Sequence, residues 1–452
     1  MKKIAIIVDD VIRDLGPLAL LAIELSKLGL EPFLVPLRIQ HLEIKKIKPD
    51  YIVLNYLRKQ NEFYARGYAD AGIKLGLLDQ EGGAFIDFEK FESLRLTKNI
   101  SLRENLDQVF FWNEEIYKYA ESNNWFPNVE KIVTGHPKYD TYFINNKKRS
   151  AETEKQKLLF LTSFTLSNPR LLSPEQEIKS WLASGGSEEF VRDLQNQHNN
   201  SFNIFINVFE EILNRYPDKV FELKIHPFEN SKIYYEKFSR FNNLEITHNQ
   251  TLIKSLKNTK YLFHSSSTTS VESLLSNVLP VNLKFLENPF KIDMVENISF
   301  NCNDIETLKD IIDEKRELNS LLSVKASILN DLIYQYGTSA ATIAKYIDKS
   351  LLNHTEVNFN ILEKYNIVKS NLIIEFIKKL LYIFGVPEDF SFRKFKSQYK
   401  IWQDSTKYFD VKLVNDRLNE IGIDLSEFKF KKNYDRSVSI KIDTSIINYE
   451  KK

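Results

Sequence analysis

Short apolar runs alternate with longer stretches of helical periodicity along most of this chain. Ile4-Ala5-Ile6-Ile7-Val8 is continuously apolar, as expected of a strand covered on both faces. After the loop Asp9–Gly16, Leu18, Leu21, Ala22, Leu25 and Leu28 recur at helical spacing, and Gly29 closes the helix. Phe33-Leu34-Val35 and Tyr51-Ile52-Val53-Leu54 read as the next strands, and Ile73–Leu78, Val109–Trp112 and Lys131–Val133 continue the series. Residues 143–157 then turn polar. A second series starts at Leu158-Leu159-Phe160-Leu161-Thr162 and passes through a helix near 202–215. Strands follow at 220–225, near Leu244–Thr247, at 261–263 and at Val278–Leu283. Strand–helix alternation predicts parallel, doubly wound sheets. Two such series predict an α/β protein with two Rossmann-like domains, 1–145 and 155–345.

Beyond residue 345 the strand signals thin out, which predicts a mostly helical extension over 346–452. Within it, Ile373–Phe384 reads as an amphipathic helix bounded by Gly385 and Pro387. Its lysines could reach anionic lipid while its apolar face enters a membrane surface, giving peripheral association. Docking on one of the domains explains the same pattern more simply. Residues 430–452 are charged and read as irregular.

Composition narrows the possibilities. At 452 residues the chain has room for two cores. A hydrophobic content of 43% with 27% charged residues argues against general disorder. A net charge of +1 lacks the basic excess of a nucleic-acid binder. The single cysteine, Cys302, excludes an intrachain disulfide and any multi-cysteine zinc site. No run approaches the roughly 18 apolar residues of a membrane span. The expectation is a cytoplasmic, soluble protein.

Candidate chemistry gathers where strands end. Two His-Pro pairs, His136-Pro137 and His226-Pro227, each follow a strand-like run. Proline lacks the N–H of a sheet ladder, so each histidine falls at the carboxyl end of its strand, the edge where open α/β sheets bind ligands. Asp10 lies just past the first strand and is a candidate to face an acceptor. Leu77-Leu78-Asp79-Gln80-Glu81-Gly82-Gly83 sets two carboxylates at another strand end, followed by glycines that let backbone approach a ligand. A partly desolvated carboxylate there suits proton abstraction from a hydroxyl; an acidic turn capping the next helix is the plainer alternative. His136 could touch substrate or only fix a hinge, and Asp140 could be a helix N-cap. His226 could donate to a phosphate oxygen, with Pro227 and Glu229 beside it. The turn His264-Ser265-Ser266-Ser267-Thr268-Thr269-Ser270 offers hydroxyls and N–H groups to an anion, and Glu272 could bind ribose hydroxyls or complete a capping box. The chain has no Gly-x-x-x-x-Gly-Lys-Ser/Thr, no Gly-x-Gly-x-x-Gly after the first strand, and no Asp-x-Asp at a strand end. P-loop, dinucleotide and metal-clamped diphosphate chemistry are thereby disfavoured.

Taken in order, Asp79-Gln80-Glu81-Gly82-Gly83, Gly135-His136-Pro137-Lys138-Tyr139-Asp140, His226-Pro227-x-Glu229 and His264 to Glu272 resemble the two-lobed (GT-B) glycosyltransferases of bacterial surface-carbohydrate biosynthesis. The resemblance spans about residues 1–345 and is closest to sialyl- and Kdo-type transferases that use CMP-sugars. It implies two lobes facing each other across a cleft, a nucleotide-sugar donor (CMP-linked), a glycan or lipid-linked acceptor, and no metal or other cofactor. Glu81 or Asp79 would be the base, and His226 would bind or protonate the donor phosphate. Ser265, Ser266, Ser267, Thr268, Thr269, His264, Glu272, Glu229 and Pro227 would hold the donor, while Gly82, Gly83, His136 and Asp10 would line the acceptor side. Gln80 occupies the first acidic place of the family's motif, so the identity of the base stays open. Alternatives are a CDP-polyol-dependent polyol-phosphate transferase, a UDP-N-acetylglucosamine 2-epimerase-like enzyme, and a non-catalytic glycan- or nucleotide-binding subunit.

Overall fold

The computed structural model describes residues 1–80, 88–148, 156–170, 172–183, 188–288, 292–316, 318–332, 336–352, 356–364, 406–434 and 436–443. The chain divides into two compact units, Met1–Ile144 with Ile333–Lys452, and Asn145–Leu332.

In the first unit, β1 (Lys3–Val8), β2 (Glu31–Pro36), β3 (Tyr51–Leu54), β4 (Lys74–Leu77), β5 (Gln108–Phe111) and β6 (Glu130–Val133) form a parallel sheet in the order β2-β1-β3-β4-β5-β6. Ile4 through Val8 are buried without alternation, because helices cover both faces. The helix Leu15–Lys27 is apolar nearly all round, and two later helices, Ser339–Leu351 and Val411–Ile421, pack on it. Trp125, Tyr51 and Tyr68 are wholly buried in this unit, and Tyr51 Oη donates to Gln108 Oε1 at 2.8 Å.

In the second unit, β7 (Lys157–Leu161), β8 (Phe221–Lys224), β9 (Leu244–Thr247), β10 (Thr259–His264), β11 (Leu279–Leu283) and β12 (Phe300–Cys302) form a parallel sheet in the order β12-β11-β10-β7-β8-β9. Its core is aromatic: Phe160 stacks on Phe263 with centroids 4.4 Å apart and meets Phe209 at 4.9 Å. Aromatic contacts of this kind add about 0.5–1.5 kcal/mol beyond the area they bury.

The C-terminal residues differ from expectation in two ways. Helix Ser339–Leu351, which straddles the boundary set at 345, packs within the first unit. Its start is tied there by Asp140, whose carboxylate accepts from Gly337 N (2.6 Å) and Ala340 N (2.8 Å). Asp140 thus caps a distant helix while lying inside its own, Pro137–Lys148. Residues 430–452, read as irregular, contain most of a hairpin of β13 (Phe428–Asn433) and β14 (Ser437–Ile442), and β14 pairs antiparallel with β2. Ser437 through Ile440 are buried in succession, Val438 and Ile440 completely, and Ser26 Oγ donates to Ile440 O at 2.7 Å. Burial of β14 beside β2 outweighs the charge of β13, whose Lys429, Lys431 and Lys432 are exposed. The helix expected at Ile373–Phe384 lies outside the described residues. Among the described residues no helix is long and apolar enough to cross a membrane.

Candidate functional site

Each sheet reverses its strand order beside its first strand, between β1 and β3 in the first unit and between β7 and β10 in the second. Crevices beyond the carboxyl ends at such points are where open α/β sheets bind ligands.

In the second unit, β8 runs through Ile225 into His226-Pro227. His226 N donates to Thr162 Oγ1 at 2.9 Å, joining the ends of β8 and β7. Phe228 N donates to His226 Nδ1 at 3.3 Å, which leaves the ring proton on Nε2. Burial, followed by the neighbouring His248 and Lys224, pushes the imidazole down to about 4. At neutral pH His226 is therefore a neutral N–H donor rather than an acid. His248, just past β9, hydrogen-bonds the backbone of His226 and Pro227 and is likewise lowered to about 4, first by burial and then by Arg170. Arg170 N donates to Phe228 O at 2.8 Å and its Nη1 to Pro227 O at 3.2 Å. Burial lowers its pKa, and no carboxylate pairs with it among the described residues. A half-buried guanidinium without a counter-charge is a place where an anion is favoured.

The hydroxyl turn lies at the end of β10. Ser266 sits in the left-handed region (φ 47°), its N–H donating to Asn282 Oδ1 at 3.0 Å. A non-glycine residue held there costs about 1–2 kcal/mol. Ser267 Oγ and Thr269 Oγ1 are 2.8 Å apart, and Ser266 to Thr269 are all partly exposed. Asn288 Nδ2 donates to Ser265 O at 3.0 Å.

Four residues assigned to the donor are buried, Ser265 at 7% exposed and the three that follow more deeply. His264 is fully buried: Ser267 N donates to its Nδ1 at 3.2 Å, and its Nε2 faces Ser299 Oγ at 3.1 Å. Burial takes it to about 3, so it is a neutral brace beneath the turn. Glu229 is fully buried; Phe164 N donates to one oxygen at 2.7 Å and Tyr234 Oη to the other. Burial raises it to about 7 despite those bonds. Glu272 is enclosed in the helix Thr269–Leu275, with no open face for ribose.

In the first unit, Gly135 turns the chain at φ 71°, and His136 follows, buried, with Lys138 N donating to its Nδ1 at 3.0 Å. Its ring stacks on Trp112 at 3.9 Å, and Trp112 Nε1 donates to Asp79 O at 2.7 Å. Asp79 and His136, distant in sequence, are thus linked through one indole. Burial, Lys138 and Arg13 hold His136 well below its ordinary value. Asp10 spends one oxygen on its own turn, accepting from Ile12 N (2.9 Å) and Arg13 N (3.0 Å). Beside it Asp9 pairs with Lys407 at 2.9 Å, and Asp14 with Arg13 at 2.5 Å. Glu81, Gly82 and Gly83 lie outside the described residues.

Sequence reading missed Arg170, His248, Trp112 and Asn55. His248 directly follows a recognised strand and was open to notice; Arg170 lies in an irregular loop with no signal of its own.

No protein-family model and no curated protein sequence matches this chain. Solved structures do. S. aureus MnaA with UDP matches at TM-score 0.50 and 15% identity, covering 79% of this chain and 99% of that one. UDP-GlcNAc 2-epimerase from Neisseria meningitidis, bound to UDP-GlcNAc, matches at TM-score 0.50 and 13% identity, covering 77% and 100%. The chain has a GT-B-type fold. At such identities the likeness is one of architecture, and about a fifth of this GT-B-type chain lies beyond it.

Proposed function

We propose that this chain is a nucleotide-sugar-dependent glycosyltransferase that binds its donor at the carboxyl edge of the second sheet. The observation that carries this reading is Arg170, a half-buried cation without a counter-charge, beside the neutral imidazole of His226. Together with the hydroxyls of Ser266 to Thr269 they suit a nucleotide phosphate. The acceptor is assigned to the edge of the first sheet. In the reaction an acceptor oxygen attacks the anomeric carbon, and the bond from that carbon to the phosphate oxygen breaks. The acceptor proton passes to Asp79 or Glu81, and the leaving phosphate keeps the bonding electrons. His226 Nε2–H and Arg170 stabilise that charge as it develops.

The fold neighbours hold UDP and UDP-GlcNAc, so a UDP-sugar is the first donor to test, ahead of the CMP-sugar suggested by the sequence motifs. The same likeness favours one second reading, epimerisation of a UDP-sugar. Incubating the protein with UDP-GlcNAc and separating products by mass and chromatography decides between them. Transfer requires an added acceptor and releases UDP, whereas epimerisation proceeds without one and yields an isomer of equal mass. Absence of both with UDP- and CMP-sugars, while Arg170→Met leaves nucleotide affinity unchanged, would refute the assignment.

A further inference from the structure

Asn55 follows the last residue of β3 and lies next to β1, at the reversal point of the first sheet. It is 3% exposed, and neither side-chain Nδ2 nor side-chain Oδ1 has a hydrogen-bond partner among the described residues. Its backbone is fixed, since Gln80 N donates to Asn55 O at 3.2 Å. A second group on the same edge is in the same condition. His136 Nε2 is buried and without a partner, and it carries the ring proton because Nδ1 accepts from Lys138 N. The two are joined through Gln80, Asp79 and Trp112. Folded proteins leave few buried polar side-chain atoms unpaired, so two along one ligand-binding edge call for a visitor.

The chemistry of that visitor follows from the amide. Asn55 offers a donor and an acceptor side by side. A simple anion would satisfy only the donor, and a cation only the acceptor. Two hydroxyls on adjacent carbons satisfy both, each hydroxyl being donor and acceptor. We infer that Asn55 recognises a vicinal pair of hydroxyls on the acceptor. This rests on the transferase reading and deepens it: the acceptor is a sugar ring or an open-chain polyol, selected in the first unit.

The test uses the full chain and saturation-transfer NMR with three probes: methyl α-D-glucopyranoside, sn-glycerol 3-phosphate and UDP. Asn55→Leu and Asn55→Ala are compared with the wild type, each with its melting temperature. The expected result is saturation of at least one diol by the wild type, at least tenfold weaker in both variants, with UDP binding unchanged. Asn55→Leu should melt no lower than the wild type, since an apolar residue of similar size replaces an unpaired amide. Saturation of the glucoside assigns a ring sugar, and of glycerol phosphate a polyol. The inference is overturned if neither diol binds, or if the variants bind diol as the wild type does. It is equally overturned if both variants melt far lower, which would make Asn55 a structural residue satisfied by resident water. Loss of UDP binding by the wild type, with Asn55-dependent diol binding intact, would sink the transferase reading alone.

Discussion

Glu229 shows how far a single residue's environment can depart from its place in a motif. It belongs to the His-Pro-x-Glu run, yet it is sealed inside, bracing the loop after β7 through Phe164 N and closing on Tyr234. The native carboxyl keeps its proton up to about 7, whereas an unfolded chain loses it near 4.5. Between those values the native state holds more protons, so raising the pH lowers stability. Each pKa unit is worth about 1.4 kcal/mol, giving a loss of up to about 3 kcal/mol by pH 8. His264 acts in the opposite sense: the native ring stays neutral down to about 3, so stability falls as pH drops from 6.5 towards 3. Glu229→Gln keeps an acceptor for Phe164 N and supplies a donor to Tyr234. Urea unfolding of variant and wild type at pH 5 and pH 8 should show the variant gaining on the wild type at the higher pH. An unchanged difference would mean that Glu229 is already ionised in the native state. At the proposed phosphate site, Arg170→Met removes a charged donor worth about 1.5–3 kcal/mol, so nucleotide affinity should fall about 10- to 150-fold by calorimetry. Because His226 is neutral above pH 4, the affinity for UDP-GlcNAc, whose phosphates are diesters and do not titrate near neutrality, should show no inflection near pH 6.5.

Among elements, the C-terminal hairpin carries the clearest energetic claim. Ile440 is wholly buried on β14, and Ser437 Oγ and Arg436 N both donate to the buried carboxylate of Glu43. Ile440→Ala should cost about 2–5 kcal/mol, read as a lower urea midpoint for the first unit. A cost near zero would mean that the hairpin does not hold to β2 in solution. This element also marks where sequence reading stops. Phe428-Lys429-Phe430-Lys431 and Ser437-Val438-Ser439-Ile440 alternate with period two, but each is short, and the surrounding lysines hid the pattern. The buried parallel strands were legible because they are apolar on both faces and carry no alternation to misread. Strand ends were legible too, through the prolines after His136 and His226 and the apolar run before the serine turn, which is why all three fell at the carboxyl edges of their sheets. What a histidine does at that edge was not legible. The half-buried place of His226 and the enclosed place of His264 depend on Thr162 and Ser299, residues brought in from distant loops.

At the scale of the whole molecule, two units with separate cores, one rich in stacked phenylalanines and the other closed by returning C-terminal elements, should respond differently to ligand. A nucleotide that binds only the folded second unit stabilises it by mass action, about 2.7 kcal/mol at a hundred times the dissociation constant. Hydrogen exchange with and without UDP should then show protection concentrated at 158–170, 225–248 and 264–275, the strand ends and loop bearing Arg170, His226, His248 and the serine turn. The first sheet should exchange nearly as before, β1 and β3 included. With Arg170→Met the same pattern should appear only at proportionally higher nucleotide concentration, because the site is weakened and not moved. Protection confined to the edge around Asp10, Asn55 and Asp79 would reverse the assignment of donor and acceptor. Uniform protection across both sheets would instead mean that the units are stabilised as one, and the separate ligand edges would lose their claim to separate substrates.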